Sequence, residues 1–389
     1  MNLYFSDSSF QIGGQSYPGF PLLVDKTGTV VEVALLFFKY ELLGKVGARD
    51  FKTWEAYGRH LYDYFGYMEA KHLCWNHIPG EMSGDISPLA HYVRWCDCTV
   101  GNKSGYINDK VGTIQRFYRW AQRAGLIDSI PFTHIETVSQ HTGGMLAYTS
   151  SNGGKRATTN MHLREAEKPL VVLSRSQINL LMRAALNPTH RAMLHLGLNA
   201  GLRAEEITSF PMKYVIDCSR LSNKVKSVPV YLDPCEMHTK NDKARTVRVS
   251  VLCMNNLWQY REAIRHKLQS LQPVSSNELF LTRDGLPFVA DGLVAPFARI
   301  GKRVGFHIHP HMLRHTFATH TLASLEDLKR KGRLRSSPIV VLKGFLGHSS
   351  ITTTSRYLHH LDAIDDTYGT QYQAEIDELA LGYLIEQVA

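Results

Sequence analysis

"HPHMLRHTFATH", residues 309 to 320, sets His311 three positions ahead of Arg314, so a helix through this stretch carries both side chains on one face. Alone, the pairing is a commonplace polar stripe. Its neighbours along the chain change the reading. Downstream, "LGHSSITTTSRYLHH" (346 to 360) puts His348 nine residues ahead of Tyr357, and 34 residues separate Arg314 from His348. Upstream, "NAGLRAEEI" (199 to 207) holds Arg203 and, one helical turn later, Glu206; "TKNDKAR" (239 to 245) holds Lys240 and Lys243. Each has a plain reading in isolation: an ion-paired arginine, an exposed turn lysine, one more buried aromatic in a chain with 18 tyrosines.

Length and composition set the frame. At 389 residues the chain exceeds the size at which one hydrophobic core stops growing, which predicts two domains. Hydrophobic residues make up 44% and charged residues 20%, a globular composition that argues against extensive disorder. The opening MNLYFSDSSFQIGG lacks a basic start followed by an apolar stretch, and VALLFF (33 to 38) is too short to span a bilayer, so a cytoplasmic protein with no membrane partner is expected. Six cysteines (74, 96, 98, 218, 235 and 253) in a chain of this kind read as reduced thiols. The formal charge of +9 is unevenly placed: residues 1 to 140 hold 13 Lys and Arg against 14 Asp and Glu, residues 141 to 389 hold 31 against 21. A basic second part points to a polyanion, most often nucleic acid.

Periodicity divides the chain. TWEAYGRHLYDYFGYMEA (53 to 70) and DKVGTIQRFYRWAQRAGLI (109 to 127) repeat apolar residues at helical spacing, with Asn108 or Asp109 as the cap of the second and Gly125 near its end. A Gly-, Ser- and Thr-rich stretch from about 141 to 168 has no sustained period and reads as a linker. Ser174 caps LSRSQINLLMRAAL (173 to 186), which restarts a compact domain. VPVYL (228 to 232) and TVRVSVL (246 to 252) flank TKNDKAR as a small antiparallel pair, after which helical patterns return. The expected fold is mainly α with a small antiparallel β-sheet. Its parts are an N-terminal segment (1 to 30), a helical domain (31 to 142), a linker (143 to 169), a second domain (170 to 364) and a tail (365 to 389). In the tail Ile376, Leu379, Ala380 and Leu384 share one helical face.

The joint pattern is G-L-R-x-x-E, a lysine on a hairpin, H-x-L-R-H-T-F-A-T-H, then L-G-H with a tyrosine nine residues on. In this the chain closely resembles the tyrosine recombinase, or phage-integrase, family, over essentially all of residues 170 to 360 and more loosely over 31 to 140. The resemblance implies a helical core-binding domain that binds DNA, followed by an α+β catalytic domain. It also implies metal-independent, cofactor-free cutting and rejoining of DNA through a 3′-phosphotyrosine. Each role meets a physical need. Tyr357 would be the nucleophile, storing the bond energy so that no ATP is required. Arg203 and Arg314 would clamp the non-bridging oxygens, a task for planar guanidiniums that stay charged. His311 and His348 match the family's two histidine positions, donating to phosphate and assisting the nucleophile's proton transfer. Lys240 matches the hairpin lysine, the acid that protonates the leaving 5′ oxygen, with Lys243 as its rival. Glu206 matches an acidic buttress for the arginine or for a histidine.

The 34-residue spacing is about ten longer than the family pattern, with the excess in SLEDLKRKGRLRSSP (324 to 338). There Lys329, Arg330, Lys331, Arg333 and Arg335 read either as a solvated loop or, together with Lys243 and Arg245, as contacts to DNA phosphates. His348 and Tyr357 are expected on separate short helices joined by SSITTT. Metal readings of His307, His309 and His311, or of His72, Cys74, His77, Cys96 and Cys98, lack paired zinc-ligand spacing. The partners implied are double-stranded DNA, three further copies forming a homo-tetramer on two DNA sites with the tail exchanged between subunits or folded back, and an accessory or directionality protein. A nucleoid-associated location follows. A type IB topoisomerase or hairpin-forming resolvase would use the same groups, and an accessory DNA binder would not need an intact Tyr357.

Overall fold

The computed structural model describes residues 1–44, 51–80, 84–138, 155–165 and 170–358. The chain divides into two units, Met1–Glu167 and Lys168–Ala389.

Aromatic side chains at helical spacing build the first unit. Its helices are α1 (Glu32–Phe38), α2 (Phe51–Ala70), α3 (Pro88–Arg94) and α4 (Ser104–Arg123). Phe37 of α1 meets Phe117 of α4 edge-to-face at 5.5 Å between ring centres, and Tyr64 of α2 meets Tyr92 of α3 at 5.2 Å, the offset geometry that ring quadrupoles favour. The N-terminal segment is itself structured: β1 (Asn2–Phe5), β2 (Gln11–Ile12), β3 (Gln15–Ser16) and β4 (Pro21–Val24) form two antiparallel pairs, β1 with β4 and β2 with β3. Gly58 lets α2 approach this hairpin, because a Cβ there would lie 2.8 Å from the Pro21 ring.

Two local expectations change. Helix α4 begins at Ser104, ahead of the cap read from the sequence, and Asn108 is buried within it. Its amide instead donates to the Leu163 carbonyl (2.9 Å) and Glu165 (2.8 Å) and accepts from the Leu163 N–H, pinning a later segment to the helix. Part of the stretch read as a linker is a strand: β6 (Lys155–Thr159) pairs antiparallel with β5 (His134–Val138), and buried Gln115 donates to Thr159 Oγ1 at 2.6 Å. A partner strand and one buried hydrogen bond order it, and neither has a periodic signature.

In the second unit α5 (Arg175–Ala184) starts at Ser174, whose side chain accepts from Gln177 N–H while Gln177 caps back, a complete capping box. Then follow α6 (Pro188–Ala200), α7 (Ala204–Thr208), β7 (Ser227–Leu232), β8 (Arg245–Ser250), α8 (Val251–Tyr260), α9 (His266–Gln269), α10 (Val294–Val304), α11 (Pro310–Arg330), α12 (Pro338–Leu346) and α13 (Ile351–Ser355). Helix α6 is buried on almost every face, and Gly197 lets α11 lie against it: a Cβ there would come within 2.9 Å of Leu313. Strands β7 and β8 pair from Ser227↔Ser250 to Leu232↔Arg245.

Helix α11 is 21 residues long and runs to Arg330, so the first part of the stretch at 324 to 338, which carries the extra spacing, is helix and not loop. The stretch read as a joiner between His348 and Tyr357 contains α13, capped by Ser350, because a hydroxyl at the cap satisfies the free N–H of Thr352. The tail helix expected at 365 to 389 lies outside the described residues. No helix among the described residues is long and apolar enough to cross a membrane.

Candidate active site

The second unit gathers its cationic groups where helices end. Helix α6 stops at Gly201, whose φ of 64° is the left-handed conformation, and a Cβ at this position would sit 2.2 Å from Phe317 Cδ1. Helix α12 stops the same way at Gly347, φ 64°. These ends leave carbonyl oxygens without intrahelical partners, at the negative pole of each helix. Arg314 fills both: Nη1 donates to Gly201 O at 2.7 Å and Nη2 to Leu346 O at 2.5 Å. Arg245 Nε donates to Phe345 O at 3.1 Å. Two guanidiniums therefore tie α6, α11, α12 and β8 together.

Arg203 occupies the elbow between α6 and α7. Glu206 reaches back to the Arg203 N–H at 2.8 Å and to its Nη1 at 3.1 Å. The same carboxylate takes a bidentate pair from Arg245, 2.6 and 2.7 Å. Glu206 is fully buried, which by itself would raise its pKa, but the hydrogen bonds and charge of Arg245, followed by Arg203, hold it down to about 2. Arg245, expected from the sequence to contact DNA, has a side chain only 7% exposed and committed to Glu206 and Phe345 O, so it braces Arg203 from behind.

One cleft, about 210 Å³, is lined by Arg203, Lys240, Lys243, His311, Arg314, His348 and Tyr357, and also by His315, a motif position to which the sequence assigns no role. Lys240 and Lys243 come from a tight turn in which Asn241 and Asp242 hold positive φ, 58° and 49°. Both lysines reach the cleft; Lys240 is the one whose charge bears on His311 and His348. Lys329, Arg330, Lys331, Arg333 and Arg335 lie elsewhere, with Lys329 about 27 Å along α11 from His311 at 1.5 Å per residue.

Tyr357 follows α13 and is docked in its own chain's cleft, 3% exposed. Its ring lies parallel to His348 (9° between planes, 6.4 Å between centres), and its hydroxyl meets His315 Nδ1 at 3.1 Å. Burial raises the phenol pKa against the opposing pull of Arg314, Arg356 and Arg203, so the tyrosine is protonated at neutral pH. His348 is held from both sides, Nε2 by Arg314 Nη2 (3.1 Å) and Nδ1 by Thr354 Oγ1 (3.0 Å). Burial first, then neighbouring positive charge, keeps three imidazoles neutral: His311 is lowered to about 4, and His315 and His348 to about 3. Burial and the charge of Arg203 also lower Arg314, to about 9, which leaves it cationic at neutral pH. No three His, Cys, Asp or Glu side chains among the described residues come together as a metal site.

A nucleophile that still needs to lose a proton, fixed cations and an exposed lysine around one opening suit attack on a phosphodiester. Residues 171–363 match the family model described as "Phage integrase family". The chain is 26% identical over 255 residues to tyrosine recombinase XerC of Bacillus subtilis, covering 65% of this chain and 69% of that one. It is 24% identical over 368 residues to transposase A from transposon Tn554 of Staphylococcus aureus, covering 90% and 93%. The fold is that of the Tn1549 transposon integrase solved in complex with transposon right end DNA (TM-score 0.54, 16% identity, 92% of this chain and 99% of that one). It is also that of the XerH site-specific recombinase bound to palindromic difH substrate in a post-cleavage complex (TM-score 0.51, 18% identity, 79% and 76%). Through residues 171–363 the chain belongs to the phage integrase family and is a tyrosine recombinase.

Proposed function

We propose that this protein is a site-specific recombinase that cuts and rejoins duplex DNA through a 3′-phosphotyrosine on Tyr357, in the integration or excision of a mobile element. The observation that carries the reading is the convergence on one cleft of a protonated tyrosine hydroxyl, Arg203, Arg314, His311 and Lys240. The scissile phosphate enters beside Arg203 and Arg314, whose charges offset the added negative charge of the pentacovalent transition state. Tyr357 Oη attacks phosphorus in line with the 5′ oxygen, so that P–O5′ breaks and the 3′ phosphate stays on the tyrosine. Lys240, exposed and turned into the cleft, protonates the departing 5′ oxygen, and Glu206 with Arg245 holds Arg203 in place. Likeness to transposase A of Tn554 along 90% of the chain favours a mobile element over a chromosomal site.

With one nucleophilic tyrosine per chain, each copy cuts one strand. Exchange between two duplexes breaks four strands, which calls for four copies on two DNA sites. An accessory protein that sets direction fits the same scheme.

Capture of a detergent-resistant protein–DNA adduct tests the reading, using supercoiled plasmids that carry the DNA flanking the gene. Wild type is expected to form the adduct, while Tyr357→Phe forms none and binds the same DNA with nearly unchanged affinity. An adduct in the Phe variant overturns the assignment of the nucleophile.

A further inference from the structure

The nucleophile's hydrogen-bond partner, His315, stands in the motif but is not one of the positions to which the resemblance assigns a role. We propose that His315 is the general base of the reaction: its Nδ1 takes the proton from Tyr357 Oη as the tyrosine attacks, and gives it back when the strand is resealed. The proposal rests on Tyr357 being the nucleophile.

Three histidines surround the tyrosine, and geometry separates them. His315 Nδ1 lies 3.1 Å from Oη, within direct proton-transfer distance. His348 is already occupied: Arg314 Nη2 can only donate, so His348 Nε2 must be the bare acceptor, and its proton sits on Nδ1, donated to Thr354 Oγ1. Its ring plane runs parallel to that of the tyrosine, 6.4 Å away between centres. His311 packs edge-to-face on His315 at 4.3 Å, its ring partly desolvated by that packing but still open to the cleft, where the phosphate enters. That places His311 to donate to phosphate and His315 behind it to accept from the phenol.

The charge around His315 weakens it as a base in the DNA-free cleft, an effect that the negative charge of an entering phosphate offsets, and it favours release of the proton afterwards. Burial, then His311, Arg356, His309 and Arg314, disfavour its protonated form, so the ring is neutral at neutral pH, and in the tautomer with its proton on Nε2 the Nδ1 atom accepts from Tyr357 Oη–H. In the forward step the Oη–H bond breaks and Nδ1–H forms, while Oη–P forms and P–O5′ breaks; the 5′ oxygen takes its proton from Lys240. In the reverse step the 5′ hydroxyl attacks phosphorus and gives its proton back to the Lys240 amine, P–O5′ forms while P–Oη breaks, and the tyrosine oxygen leaves with the proton that His315 returns. An imidazolium crowded by Arg314 and Arg356 readily gives that proton up, which helps the covalent intermediate resolve by resealing.

The test compares His315→Gln, His315→Ala and His311→Gln with wild type and Tyr357→Phe. The readout is single-turnover adduct formation on the DNA site recovered with the wild-type adduct, followed from pH 7 to 9. Gln accepts a hydrogen bond from the phenol but cannot take its proton. Both His315 variants are expected to keep DNA affinity and the unfolding midpoint, and to cut about 10²- to 10⁴-fold more slowly, the usual worth of a general base. Their rates should climb about tenfold per pH unit, because hydroxide must then ionise the phenol, and added imidazole should restore part of the His315→Ala rate. Wild-type rate and pH profile in His315→Gln would overturn the proposal and leave His315 a support for the ring. If His311→Gln alone shows the loss and the steep pH slope, the base is His311 and the proposal fails. Failure of the nucleophile assignment registers separately, as adduct in Tyr357→Phe.

Discussion

At the scale of the residue, the site depends on one carboxylate. Glu206 has no exposure and its single negative charge is shared by two arginines, one facing the cleft and one buried behind it. Glu206→Gln keeps the shape and removes the charge, leaving the Arg245 guanidinium buried without a counter-ion. Breaking one side of a buried ion pair costs about 3–5 kcal/mol, so the denaturation midpoint should fall by a corresponding amount. Cleavage should fall with it, because Arg203 loses its brace. A variant with an unchanged midpoint would mean that the pair is solvated and the buttress unimportant.

At the scale of the element, helix ends position the catalytic groups. Gly201 ends α6 in the left-handed conformation against Phe317 and presents its carbonyl to Arg314. Gly201→Ala must strain the backbone and push the Phe317 ring aside, an overpacking cost of about 1–3 kcal/mol beyond the backbone term. Gly305 supplies the control: it ends α10 with φ 79°, and an added Cβ there would meet no atom within 4 Å. Gly305→Ala should cost only the backbone term of about 1–2 kcal/mol and leave cleavage intact. Equal losses in the two variants, read by thermal unfolding and adduct yield, would refute the role of the α6 end in placing Arg314.

At the scale of the molecule, the DNA-free catalytic unit is sensitive to acid. His311, His315 and His348 have folded pKa values of about 4, 3 and 3, below the ordinary 6.5, so the unfolded chain binds more protons than the folded one between those limits. Their neutral forms favour folding fully above pH 6.5, and that contribution is lost as pH falls toward 3. Glu206 acts in the same direction lower down, present above 4.5 and lost toward about 2. The thermal midpoint of the DNA-free protein should therefore drop steadily from pH 7 to 5. A midpoint that holds or rises over that range would contradict the neutral histidines of the cleft. Binding a phosphate anion in the cleft opposes the loss, so the drop should be smaller with DNA bound.

The sequence alone determined that the chain has two parts, that the second is mainly helical with one hairpin, and that Arg203, Lys240, His311, Arg314, His348 and Tyr357 belong together. Period, cap and turn chemistry are local, and the motif's order and spacing survive in the linear chain. Three things were decided only by tertiary structure. Arg245 carries no mark in the sequence that separates it from a DNA-facing arginine; burial and the facing Glu206 assign it to the brace. His315 stands in the quoted motif one residue past Arg314, yet its role is visible only when α13 brings Tyr357, 42 residues on, against α11. The strands at 2–24 and 155–159 lack a periodic run because paired strands and buried hydrogen bonds order them, interactions between residues distant in sequence.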